Sequence, residues 1–171
     1  MLVPDFKADI KAIRKVIKPV PDIFGHNIET IARLYPVARN GADYKRSLGV
    51  LSCAKEIAGP ILTKSGIMLG LGETKEEVID LMKDIRSTGC DILTIGQYLR
   101  PRQSNMPVVR FLKSGEFDLY RDIGLKLGFK FVSSGPFVRS SYFAEEAYRE
   151  CVRNPSEARD SICGIMMLAS F

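Results

Sequence analysis

Short apolar or β-branched segments alternate with helix-period patterns along this chain, and that alternation constrains its fold more than any other feature. The segments are LVPDF at 2–6, PDIFGHNIE at 21–29, ILTKSGIMLG at 61–70, ILTIGQYL at 92–99 and FKFVSSG at 129–135. Strands separated by helices pair in parallel, and strands this apolar are covered on both faces. The fold class is therefore α/β with a parallel sheet. Between the strands, Ile10, Ile13 and Ile17 share one helical face, as do Tyr44, Leu48 and Leu51 in a helix running to about Ile57. The clearest helix carries the stripe Val78, Leu81, Met82, Ile85, with Thr74 and Glu77 as its capping box and Gly89 as its stop. A further helix, from about Ser114 to Leu127, ends at Gly128. The proline-bearing stretch LRPRQSNMPVVR, 99–110, predicts a long loop at the C-terminal end of the fourth strand, where parallel folds keep their ligands.

A chain of 171 residues, 46% apolar and 26% charged, suits one soluble domain. Its net charge of +5 comes from bases interleaved with acids rather than from a stripe, so no nucleic-acid partner is expected. MLVPDFKADIKAIRK lacks a signal-peptide core, and the tail ICGIMMLASF is far short of the roughly 20 residues that cross a bilayer. These features predict a cytoplasmic protein with no membrane partner. Cys53, Cys90, Cys151 and Cys163 are widely spaced and form no CxxC pair, which favours buried thiols over a metal cradle.

Polar residues recur where the expected strands end: His26, Asn27 and Glu29 after the second, Glu73 after the third, Gln97 and Tyr98 after the fourth, Ser133 and Ser134 after the fifth. Singly, each has a structural explanation, such as a core imidazole for His26 or a turn for Asn27. In GIMLGLGETKEE, Gly66 and Gly70 open a gap beside apolar walls that include Met68, and Glu73 can accept hydrogen bonds. A flat heteroaromatic ring fits such a gap; the spacing fits neither a phosphate loop nor a dinucleotide fingerprint. Arg46, early in its helix, is either a solvated charge or a bidentate clamp for a carboxylate. Ser140 and Ser141 are either an N-cap for a helix carrying Glu145 and Glu146 or available oxygen ligands.

Taken in order and at these separations, HNIET, ADYKRSL, TKSGIMLGLGET, LTIGQYLRP and SGPFVRSSY resemble the C-terminal half of lipoyl synthase, a radical S-adenosylmethionine enzyme that inserts two sulfurs into a protein-bound octanoyl chain. The resemblance covers 1–148 and implies a partial (β/α) barrel of TIM type whose N-terminal strands are missing, followed by a divergent tail, 149–171. It implies that Gly66, Met68, Gly70 and Glu73 approach the adenine of S-adenosylmethionine, that Asn27 and Glu29 contact its methionyl or ribose portion, and that Arg46 pairs with its carboxylate. Ser141 (or Ser140) would bind an iron of the auxiliary cluster. A complete family member holds two [4Fe-4S] clusters, whose six cysteine ligands have no counterpart here. The partners implied are octanoylated lipoyl-domain proteins, an electron donor and a missing N-terminal half. A non-catalytic remnant or split-barrel subunit that binds a partner chain is the alternative.

Overall fold

The computed structural model describes residues 1–141 and 144–153. Tyr142, Phe143, Cys163 and positions 154–171 of the expected tail lie outside the described residues. Four strands, β1 (Ile23–Gly25), β2 (Leu62–Leu69), β3 (Ile92–Gln97) and β4 (Phe131–Ser134), form one parallel sheet in the order β1-β2-β3-β4. The helices are α1 (Ile10–Ile17), α2 (Tyr35–Ala38), α3 (Tyr44–Ala58), α4 (Lys75–Ser87), α5 (Ser114–Lys126) and α6 (Ala144–Arg153). The expected boundary at 148 falls inside α6.

Side chains alternate across each strand, and here the two faces differ in kind. Ile67 and Leu69 of β2, Leu93 and Ile95 of β3 and Val132 of β4 pack with Leu51 of α3, the Val78–Leu81–Met82–Ile85 stripe of α4 and Phe117 and Tyr120 of α5. Phe24 of β1 points the same way, joining Ile13 and Ile17 of α1 to Val50 and Ala54 of α3. All the helices that connect strands thus lie on one face. That is how an arc of a (β/α) barrel is built; a doubly wound sheet carries helices on both sides. Among the described residues the sheet does not close, and β1 and β4 are its outermost strands. On the second face, Ile23, Leu62 and Ile92 are covered by Ala147 of α6, with Phe131, Tyr148 and Cys151 packed around them.

Two of the expected strands fall far short of their sequence patterns. LVPDF contributes a single bridge, Leu2 to Gly25, with the Val3 N–H donating to Gly25 O at 2.9 Å. Pro4 has no N–H to continue the ladder, and Phe6, Lys7 and Ala8 then turn into the left-handed region at φ of 47°, 51° and 64°. Each such residue costs on the order of 1–2 kcal/mol. The 21–29 strand keeps regular pairing only over Ile23–Gly25. Beyond it the Ile28 N–H donates to Ser65 Oγ (3.2 Å) instead of a backbone carbonyl, and pairing resumes where the Glu29 N–H meets Gly66 O.

Candidate functional site

The interruption after β1 aims Asn27 and Glu29 across the second face, beside the C-terminal halves of β2 and β3. Glu29 has φ 70°, uncommon for a residue with a side chain. It is held there by its own N–H to Gly66 O (2.9 Å) and by the Met68 N–H to its carbonyl (2.8 Å). Asn27 Nδ2 donates to Glu29 Oε1 at 3.1 Å. Burial pushes the Glu29 carboxyl above the ordinary carboxylate range, against the pull of Asn27 and of the Arg39 guanidinium.

Gly66 and Gly96 sit opposite these side chains. A Cβ on Gly66 would stand 2.9 Å from Thr94 Oγ1 and 3.0 Å from Asn27 Oδ1, and one on Gly96 would stand 2.3 Å from Val138 O, where the 135–140 loop crosses β3. Together Asn27, Glu29, Gly66, Met68, Thr94 and Ser140 line a cavity of about 250 Å³. A larger cavity of about 590 Å³ shares Glu29 and Met68 with it and adds Thr30, Arg39 and Tyr98. The Thr30 hydroxyl oxygen is buried there with no hydrogen-bond partner among the described residues. A glycine-floored cleft with polar side chains at its edge suits a polar ligand with a flat part. A third cavity, about 550 Å³, runs from Asn27 along Lys64, Ser140 and Ser141 to Tyr148. Burial lowers the Lys64 ammonium below its usual range.

Of the residues singled out in the sequence, Asn27, Glu29, Gly66, Met68 and Ser140 therefore converge, and Ser141 borders the adjoining cavity. Gly70 and Glu73 do not line these cavities. The buried Glu73 carboxylate turns back onto its own loop, accepting from the Gly70 N–H (2.5 Å) and the Leu71 N–H (2.9 Å). Gly70 has φ 109°, and a Cβ there would stand 2.3 Å from Gln97 Nε2. Gln97 itself ties down the 99–110 loop, accepting from the Leu112 N–H and donating to Arg110 O. Arg46 lies on Asp5, its Nε donating to Oδ2 at 2.7 Å, and its NH2 donates to Gly41 O. His26 points to the helix-covered side; its Nδ1 is 2.9 Å from Val3 O, and burial lowers its pKa, leaving the ring neutral.

Arg39 carries no motif in the sequence, yet it organises the site. Its NH1 donates to Asn27 O (3.1 Å), Ile28 O (3.3 Å) and Tyr35 Oη (2.9 Å), clamping the segment that presents Glu29. It follows a turn and a helix of only four residues, Tyr35–Ala38, too short to leave a periodic signal.

Among the described residues no three His, Cys, Asp or Glu side chains gather to hold a metal ion. Cys53, Cys90 and Cys151 are free thiols in three separate apolar clusters, and burial pushes Cys90 up to about 12 and Cys151 to about 11. No iron–sulfur ligand set is present among them. No described helix is long and apolar enough to cross a membrane.

An arc of parallel βα units with its connecting helices on one face defines the class: a partial (β/α) barrel. Its relatives are specific. The chain is 53% identical to lipoyl synthase from Caldicellulosiruptor saccharolyticus over 146 residues, 85% of this chain and 51% of that protein. It is 52% identical to the Rubrobacter xylanophilus lipoyl synthase over 93% of this chain and 50% of that one, and 49% identical to the Aquifex aeolicus lipoyl synthase over 86% and 53%. The chain is thus homologous to lipoyl synthases, and it spans about half the length of the curated relatives it matches. No protein-family model matches it. Among solved structures, N-acetylneuraminate lyase from Fusobacterium nucleatum aligns at TM-score 0.44 and 16% identity over 85% of this chain and 45% of that one, below the level at which a shared fold follows.

Proposed function

We propose that this chain is the S-adenosylmethionine-binding part of a lipoyl synthase, acting on octanoylated lipoyl-domain proteins. One observation carries the reading: Asn27, Glu29, Gly66 and Met68, distant in sequence, line one cleft on the second face. Bound there, S-adenosylmethionine would supply radical chemistry once an electron reached it from a cluster that the described cysteines do not hold. In this chain Gly66 leaves room for the adenosyl group beside Met68, and Asn27 and Glu29 accept and donate hydrogen bonds at its polar edge; Arg46, which lines none of these cavities, is the proposed partner of its carboxylate only through the family resemblance. Gly70 and Glu73 support the wall by shaping the loop behind it. Ser141, or Ser140, is the proposed ligand to an auxiliary iron. The described cysteines do not form a set that could hold a radical-generating cluster, so no step runs through one, and the 171-residue chain alone is expected to turn over no octanoyl substrate. Turnover by the pure chain overturns that expectation.

Isothermal titration of the chain with S-adenosylmethionine tests the binding reading. Glu29→Gln and Asn27→Ala are each expected to weaken binding about tenfold, a loss near 1.4 kcal/mol; unchanged affinity in both returns these residues to purely structural roles.

An alternative, a split-barrel subunit completed by a partner chain, draws support from β4, which among the described residues pairs with β3 alone and leaves its other edge able to accept a strand. Under it, co-expression with the N-terminal half of a relative gives a stoichiometric complex.

A further inference from the structure

The arginine that the structure itself brings to the cleft is Arg39. Arg46, bound to Asp5, Gly41 and Asp43, lines none of the cavities described above. Arg39 lines the cavity of about 590 Å³, which shares Glu29 and Met68 with the cleft and is also lined by Tyr98, Ser104 and Asn105.

The Arg39 guanidinium is held at one nitrogen and over one ring. NH1 alone makes its hydrogen bonds, to Asn27 O, Ile28 O and Tyr35 Oη, and it lies 3.5 Å from Ser47 Oγ. The guanidinium carbon stands 5.2 Å from the centroid of the Tyr35 ring. That ring is buried, donates its own hydroxyl to Ile28 O at 2.7 Å and meets Tyr44 edge-on at 5.3 Å. The guanidinium plane is therefore set by groups that are themselves fixed. Nε and NH2 make no hydrogen bond among the described residues. These two nitrogens form one edge of the fork, the kind of edge that meets a carboxylate in two parallel hydrogen bonds.

Arg39 also lacks a paired acid among the described residues. Arg33, Arg46, Arg110, Arg121 and Arg149 each hold a carboxylate. Glu29, the one acid among the described residues that line this cavity, instead accepts from Asn27 Nδ2, and burial raises its pKa, which favours the neutral carboxyl. A half-buried guanidinium with a fixed, unused edge and no paired acid suits an anion brought by a ligand. Arg139 lines the cleft as well, but it is exposed and its NH1 donates to Pro136 O and Val138 O of its own loop, so no other element sets its plane.

We propose that Arg39 takes the carboxylate of an amino-acid-bearing nucleoside on its Nε–NH2 edge, with the adenosyl group in the adjoining cleft. This rests on the reading that the cleft binds S-adenosylmethionine, and it gives Arg39 the role that the resemblance gives to Arg46.

The test titrates the full 171-residue chain with S-adenosylmethionine and with decarboxylated S-adenosylmethionine, which lacks the carboxylate alone. The unaltered chain is expected to prefer S-adenosylmethionine at least about tenfold. Arg39→Gln is expected to lose that preference, whatever its loosened clamp does to both affinities alike. Arg39→Lys keeps the charge without the fork and is expected to retain part of it. Arg46→Gln and Arg139→Gln are expected to retain it whole. A second readout needs no variant: the Nε–H resonance of Arg39 in an NMR spectrum shifts with S-adenosylmethionine and stays in place with the decarboxylated form. Arg39→Gln that keeps the preference overturns the proposal, and its loss in Arg46→Gln or Arg139→Gln instead shows which arginine holds the carboxylate. Should Arg39→Gln bind neither ligand, the resonance decides, and no difference between the two ligands overturns the proposal. An unaltered chain that binds both alike overturns it too and leaves the adenosyl reading intact, whereas one that binds neither fells that reading.

Discussion

At the scale of single residues, the GLGE turn shows how a motif can serve a site without touching it. Both oxygens of Glu73 are taken by the Gly70 and Leu71 N–H groups in a buried loop. Replacing Glu73 with Ala strands two buried donors, and a loss of about 1–3 kcal/mol is expected in denaturant unfolding. Gly70→Ala combines a left-handed φ of 109° with a Cβ 2.3 Å from Gln97 Nε2 and 2.5 Å from Arg110 O. It is expected to destabilise by at least as much, and to loosen the 99–110 loop that Gln97 ties down, a change proteolysis of that loop reads out. The sequence marked Gly66, Gly70 and Glu73 alike as cleft residues; side-chain direction, which sequence spacing alone did not settle for the turn, separates Gly66 from the other two.

Among elements, α4 matched its sequence pattern best. Thr74 and Glu77 form the reciprocal capping box, the Glu77 N–H donating to Thr74 Oγ1 at 3.2 Å and the Thr74 N–H to Glu77 Oε2 at 2.9 Å. Arg33 adds a two-pronged ion pair, and with the Thr74 N–H it holds the Glu77 carboxyl down at about 2. Thr74→Ala is expected to cost about 1 kcal/mol, measured as a shift in denaturant midpoint at unchanged m-value. Caps and apolar stripes are local, which is why α1, α3, α4 and α5 were legible from the sequence. The first strand was not. Its apolar letters read as a strand, but Pro4 and the left-handed run at 6–8 end it after one bridge, and Phe6 joins a core made by α1 and α3. Arg39 escaped for a related reason: the partners through which it clamps the Asn27–Ile28 segment are backbone carbonyls, and carbonyls leave no trace in a sequence.

For the whole molecule, the N-terminal ends of β2, β3 and β4 are joined by one carboxylate. Burial alone would raise the Asp91 carboxyl, yet Lys55, the Thr63 N–H and Lys130 together hold it below its ordinary value. A lowered folded pKa gives stability that is present above the unfolded value near 3.8 and lost as pH falls through the folded one. Acid unfolding of the chain is therefore expected to steepen below about pH 4, and Asp91→Asn to remove that dependence at a cost on the order of 3 kcal/mol near neutral pH. Glu29 works in the opposite sense. Its raised pKa gives stability that is present below the unfolded value near 4.5 and lost as pH rises through the folded one. Glu29→Gln is thus expected to lose ligand while gaining stability near neutral pH, the signature of a group placed for binding at the expense of the fold.

Gly96 adds a consequence for how such a chain can change over generations. The Val138 carbonyl fills the place where any side chain at position 96 would begin, and every other amino acid brings at least a Cβ. No base change that alters residue 96 is therefore a small step. A lineage can reshape the rim at Ser140 or Tyr98 by degrees, but the floor beneath it stays as it is until the 135–140 loop moves away first.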